Sequence, residues 1–312
     1  MQQVIRLRRR APGNTQIDSQ DRSILSPLEV RKPSIRIARW VIFGILLLGT
    51  VVTIGPLLWM ISGALKPSIE IFRTPPVLLP SAPQWDNFFK AWYQLNSLTY
   101  LANTAWLAAG AVALQLLVSA TAAYSLSKLK PIFSNIVLSF FLSTLMVPAL
   151  AYLIPQYFTV INLPLLNISL VNTWWAIWLP EAANAFNIII LKSFFDTLPN
   201  ELIEAAKIDG ANSWQIFSRI VLPNSLPALT VVSIFTIFAT WKDFLWPLLV
   251  INDPDSQPIS VALYQQAIAQ NSYQPLNVLL AGFVIATIPP IVLFLIFQRQ
   301  IMRGVVTTGL KG

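Results

Sequence analysis

Glu181, Lys242 and Asp243 are ionisable residues set in strongly apolar surroundings. A charge so placed must find a partner, line a hydrated path or contact a polar solute. A buried carboxylate there could relay protons or hydrogen-bond a polyhydroxylated ligand. A second group of acids, Glu201, Glu204 and Asp209, belongs to a polar stretch instead. Catalytic chemistry is poorly provided for: without His or Cys there is no Ser-His-Asp triad, thiol nucleophile, disulfide framework or usual zinc site. The remaining acids are scattered, whereas a membrane-embedded glycosyl- or acyltransferase would want carboxylates, His or Arg clustered at one membrane face. The nearest approach to a phosphate-binding loop is Gly304-x4-Gly309-Leu310-Lys311, with Lys one place late and no Ser or Thr after it.

The elements that must position these residues are apolar. Hydrophobic residues make up 55% of the 312 and charged ones 11%, against roughly 25% in soluble domains, which argues for a membrane protein. Uncharged runs cover 40–65, 91–127, 131–180, 220–241 and 256–298, and each is long enough to cross a bilayer core of about 30 Å. The longest is divided by the polar, Pro-containing segment 155–173. Six transmembrane helices are therefore expected near 40–63, 100–126, 132–154, 171–192, 225–249 and 277–297. Of the 21 Lys and Arg, 17 fall in the N-terminal segment, alternate loops and tail, whereas the other loops hold only Lys66, Arg73 and Lys90. The positive-inside rule then makes both termini cytoplasmic. The net charge of +8 reads as this topology signal rather than as a nucleic-acid site. Residues 1–38, rich in Arg, Ser, Gln and Pro, are expected to form a disordered cytoplasmic arm ahead of a permease-sized domain at 39–312.

The outer loop 66–98 is Pro-rich and then aromatic, so an extended stretch should lead into an interfacial helix around Trp85–Tyr93. The inner loop 193–223 carries more information. Asp196 or Thr197 can cap a helix with Pro199 in its first turn and Glu201 and Glu204 near its positive end, and Gly210 supplies a left-handed stop. Leu198, Leu202, Ala205 and Ala206 are spaced to share a face. Asn212 or Ser213 can cap a second helix that Pro223 closes. The residues alone describe a helical hairpin on the membrane surface.

Glu204-Ala205-Ala206, then Gly210 with nine residues between it and Ile220, then Leu222-Pro223, reproduces without a gap the EAA-x3-G-x9-I-x-L-P pattern, and the chain resembles the permease subunits of bacterial ABC importers. The likeness runs from about Val41 to Gly312. It is closest to the second permease of maltose-type carbohydrate importers, through LKPSIEIF at 65–72, PSAPQWDNFFKAW at 80–92, LANTAW at 101–106, AAYSLSKLK at 122–130 and WKDFLWPL at 241–248. It implies an all-α, six-helix type I importer permease in the bacterial inner membrane, which forms a pore with a second permease for a sugar or related polyhydroxylated solute. The partners implied are two ATPase subunits below and a solute-binding protein above. ATP and Mg belong to the ATPases, and no cofactor is implied for this chain. The resemblance assigns ATPase coupling to Glu201, Glu204, Ala205, Ala206, Asp209, Gly210, Leu222 and Pro223. It assigns ATPase contact to a tail with Gly304, Gly309, Lys311 and Gly312, and probing of the binding protein to the 251–276 loop.

Two positions depart from that pattern: Glu181 where the family is uncharged, and Lys242 where it has Asn. An acid at the centre of a span costs about 2.5–3.5 kcal/mol on insertion scales. Antiparallel spans bring Glu181 and Lys242 to neighbouring depths, so an ion pair is expected between them, with a solute-facing role in the translocation path as the functional alternative. Asp243 is expected to cap or hydrate the outer half of its span. A proton-coupled carrier using Glu181 remains the rival reading, together with the membrane transferase.

Overall fold

The computed structural model describes residues 33–268 and 274–309, and the described chain is helical apart from one isolated β-bridge between Leu163 and Ile168. Helix α1, Pro33–Ala64, begins inside the stretch expected to be disordered, and residues 1–32 lie outside the described part. The chain separates into two units at Leu57/Leu58. In the first, Trp40, Val41, Phe43 and Leu46 are exposed, as suits a surface meant for lipid or protein rather than water.

In the second unit, α2 (Asp86–Gln94) is the expected aromatic helix. Helix α3 (Ser97–Tyr124) continues as a π turn over Ser125–Leu129 and stops at Lys130, whose backbone is left-handed (φ 46°). There follow α4 (Ser134–Thr144), α5 (Ala149–Ile161), α6 (Trp175–Ala182), α7 (Ala185–Asp196), α8 (Asn200–Ile208), α9 (Ser213–Asn224), α10 (Leu226–Lys242), α11 (Leu245–Val250), α12 (Ile259–Ile268) and α13 (Leu276–Gly309).

Only α1, α3 and α13 are unbroken helices long and apolar enough to cross a membrane among the described residues. The other three expected spans are interrupted. Span 132–154 breaks between α4 and α5 with a 106° bend, because Pro148 cannot continue a helix, and α5 carries on through Pro155 to Ile161. The segment 155–173 is thus half helix, and its turn begins at Asn162. Span 171–192 breaks at Ala183–Asn184, and span 225–249 at Asp243–Phe244.

Helix α3 is the hub, packing against α6, α7 and α10. Its contact with α6 is close: Trp178 lies over Gly110, and its indole N–H donates to Leu107 O at 2.9 Å. The outer end is fastened by polar side chains. Asn87 Nδ2 donates to Ala64 O (2.8 Å), Asn103 Nδ2 to Asp255 O (2.7 Å), and Ile259 N to Thr104 Oγ1 (2.9 Å). Much of 251–276 is therefore the packed helix α12, with Ile259, Val261 and Leu263 buried, rather than a free loop. Residues 269–273 lie outside the described part.

Candidate functional site

The loop 193–223 is built as two short helices held on adjoining ends of α3, α7 and α10. Pro199 directly precedes α8, and no side chain caps it. Neither Asp196 nor Thr197 is that cap, because Pro199 takes the boundary position, Asp196 ends α7 and Thr197 bonds back onto it. Asp196 accepts from Ser127 Oγ at 2.6 Å and Lys192 Nζ at 2.7 Å, and Thr197 Oγ1 donates to Phe194 O at 2.6 Å. Burial acts to raise the Asp196 carboxyl, but the bonds from Lys192 and Ser127 outweigh it and hold it below the usual carboxylate range. Lys128 Nζ reaches Leu198 O (2.8 Å) and Asn200 Oδ1 (3.0 Å), tying the start of α8 to the end of α3.

Helix α8 turns Ile203 and Ala206 inward and leaves Glu201, Leu202, Glu204, Ala205 and Asp209 exposed. The face expected for Leu198, Leu202, Ala205 and Ala206 is split: Ile203 and Ala206 are buried in the core with the partly buried Leu198 packed against it, whereas Leu202 and Ala205 are exposed. Gly210 adopts φ +81°, and the bonds Gly210 N→Lys207 O (3.1 Å) and Ala211 N→Ala206 O (2.9 Å) close the helix as a Schellman motif. Asn212, not Ser213, caps α9 in a reciprocal box with Gln215, at 2.8 and 2.9 Å.

Within α9, Pro223 has no N–H to donate to the preceding turn, and the chain takes a π turn over Phe217–Val221. Asn224 Nδ2 then satisfies Ile220 O at 2.7 Å. Leu222 packs at the edge of the buried cluster, while Pro223 is exposed. Ile203, Ile216, Phe217 and Val221 are buried against Ala120, Tyr124, Leu191 and Phe195. Each such side chain contributes about 1.5–3 kcal/mol, more than the ~0.2–1 kcal/mol of a partly exposed pair like Lys192–Asp196. Packing therefore holds the loop, and the polar contacts set its register. Sequence reasoning missed Tyr124, Ser127, Lys128 and Asn200, since nothing local pairs residues about 70 or more positions apart, and it missed Lys192, whose i,i+4 spacing from Asp196 was the available signal.

At the broken spans, Glu181 lies in the last turn of α6 and Asp243 between α10 and α11. The expected Glu181–Lys242 ion pair does not form: the salt bridges among the described residues are Lys90–Asp86 and Lys192–Asp196. Helix α10 ends at Lys242, whose side chain is exposed. The extended Asp243 (φ −66°, ψ 129°) then turns the chain, and its carboxylate adds like charge to the surroundings of Glu181. Phe244 takes the boundary position of α11 without a side-chain cap, whereas Asn184 caps α7 through Asn187 N (3.3 Å). Among the described residues, no three His, Asp or Glu are grouped as a metal site would require.

Helix α13 runs through Gly304 to Gly309, so that part of the expected tail is helical, and Lys311 and Gly312 lie outside the described part. Residues 115–307, which contain the loop, both breaks and most of α13, match the family described as binding-protein-dependent transport system inner membrane component. The chain belongs to this family. It is a multi-pass permease subunit of a transport system that works with a solute-binding protein, and not an enzyme.

Its relatives agree. The chain is 36% identical over 259 residues to the "Probable ABC transporter permease protein YurM" of Bacillus subtilis (strain 168), covering 82% of this chain and 83% of that one. It is 32% identical to the arabinooligosaccharides transport system permease protein AraQ of Halalkalibacterium halodurans, covering 84% and 92%. A crystal structure of a bacterial ABC transporter involved in the import of the acidic polysaccharide alginate contains a chain of the same fold, with TM-score 0.75 and 23% identity, covering 86% of this chain and 98% of that one.

Proposed function

We propose that this permease is a pore-forming subunit of an ATP-driven importer for a di- or oligosaccharide in the bacterial inner membrane, paired with a second permease and two ATPase subunits. The observation that carries the coupling assignment is the two-sided character of α8. Ile203 and Ala206 are locked into the core, while Glu201, Leu202, Glu204 and Ala205 form an outward face with Ile208 and Trp214 exposed beside it. A rigidly anchored element with an unfilled acidic and apolar face suits a lever that docks in another protein. Relatives whose names specify diacetylchitobiose, arabinooligosaccharides and lactose support the solute class.

ATP binding would draw the ATPases together and carry the docked loop with them. The load passes into α3, α7 and α10 through the buried cluster around Tyr124 and Phe217. Direction then follows from unequal affinity of the outward and inward states for the solute and its binding protein.

The test is uptake by the assembled transporter with Glu204→Lys or Gly210→Pro. The first reverses a docking charge, and the second forbids the left-handed backbone at φ +81°. Both variants should insert and assemble while oligosaccharide uptake falls at least about tenfold, equivalent to ~1.4 kcal/mol of lost coupling. Uptake near wild type in both would remove the coupling assignment. Wild-type ATPase activity that no oligosaccharide-loaded binding protein stimulates would remove the solute class.

A further inference from the structure

The inner ends of α3, α4 and α7 enclose a cavity of about 630 Å³ whose charged lining is Lys128, Lys130, Lys192 and Asp196. Three cations against one anion leave it with an excess of two positive charges. The ammonium groups are not used up. Lys192 has one partner, Asp196, Lys128 has two, Leu198 O and Asn200 Oδ1, and the Lys130 side chain has none among the described residues, although each ammonium has three donors.

The opposite side, from α4, mixes Ser134 and Asn135 with apolar side chains. Ile132 is 95% exposed at the mouth, Leu138 lines the interior, and the exposed Ile136, Val137 and Phe140 extend along α4 away from the lysines. A free anion would use the lysines and leave that apolar track idle. An amphiphile with a phosphate head and acyl chains would use both.

We infer that this cavity binds the phosphate headgroup of an anionic phospholipid, with Lys130, Lys128 and Lys192 around the phosphate and the acyl chains laid along α4. The inference does not rest on the transported solute. The headgroup meets the same lysines that hold the start of α8, so the bound lipid braces the loop 193–223.

The experiment titrates the full chain in neutral detergent with dioleoyl phosphatidylglycerol, or with phosphatidylcholine carrying the same chains, and counts bound lipid by native mass spectrometry. Phosphatidylglycerol should bind one-to-one and at least about tenfold more tightly than phosphatidylcholine. Lys130→Asn should weaken it about fivefold, the equivalent of the ~1 kcal/mol that one lysine contributes near an anionic surface. Asn tolerates the left-handed backbone at this position, and the exposed Lys130 side chain has no hydrogen bond or ion pair to lose among the described residues, so the fold is kept. Adding Lys192→Gln should deepen the loss, whereas Arg299→Gln, remote in sequence from the cavity, should change nothing.

Equal binding of the two lipids would overturn the inference. So would wild-type binding by Lys130→Asn and the double variant, or an equal loss with Arg299→Gln. Full displacement of phosphatidylglycerol by excess inorganic phosphate would assign the cavity to a free anion and overturn the lipid.

Discussion

Glu181 meets Asp243, not Lys242, and this changes what each side chain costs. If Glu181 and Lys242 were a buried ion pair, removing either would leave an uncompensated charge and cost about 3–5 kcal/mol. The geometry removes that coupling: Lys242 is exposed with no ion pair among the described residues, and the charge that acts on Glu181 is the like charge of Asp243. Lys242→Asn should therefore shift stability by no more than about 0.5 kcal/mol. Glu181→Gln removes the repulsion with Asp243, so its Tm should equal or exceed that of wild type. Thermal melting of the purified variants in detergent checks both. A large fall in each single variant with recovery in the double would restore the pair.

Asn184 and Asp243 show at the level of elements why the broken spans were not legible. The uncharged runs 131–180 and 220–241 end beside the breaks, at Glu181 and Lys242, but a charge shows only where a run stops and not that the helix itself stops there. In lipid such a break is tolerated only where the freed backbone groups find partners, as Asn187 N finds Asn184. The loop 193–223 read well because its signals are local, with Gly210 and the Asn212–Gln215 box within a few residues of the helices they bound. The latch from Ser127 and Lys128 to Asp196 and Leu198 joins distant segments, and no spacing rule connects them.

The close approach of α3 and α6 also depends on one position. A Cβ on Gly110 would lie 2.2 Å from the Trp178 ring, and that ring is fixed by its bond to Leu107 O. Gly110→Ala should lower stability by about 1–3 kcal/mol, as overpacking does. Gly44→Ala, where a Cβ meets nothing within 4 Å, should be neutral or gain up to ~1 kcal/mol of helix propensity. If the two substitutions had the same effect on Tm, the α3–α6 contact would be wrong.

For the whole molecule, the bend between α4 and α5 is where the topology is decided. Each helix alone is too short to cross, at 11 and 13 residues, and together they turn through 106°. If the pair crosses, the turn after Ile161 lies outside, six crossings place both termini inside, and 17 of the 21 Lys and Arg share the cytoplasmic side. If the pair instead dips in and returns, the turn stays on the side of Lys128 and Lys130. The next crossing would then carry Lys192 and the loop with Glu204 outside, against the charge bias and out of reach of any ATPase. The absence of native Cys makes the choice measurable. Ser81→Cys and Ser169→Cys should react with an impermeant maleimide in sealed cells, while Ser213→Cys should react only after permeabilisation; all three positions are exposed. Labelling of Ser81 and Ser213 from outside with Ser169 protected would mean that α4 and α5 do not cross. The six-span arrangement, and the coupling role of 193–223 with it, would then fall together.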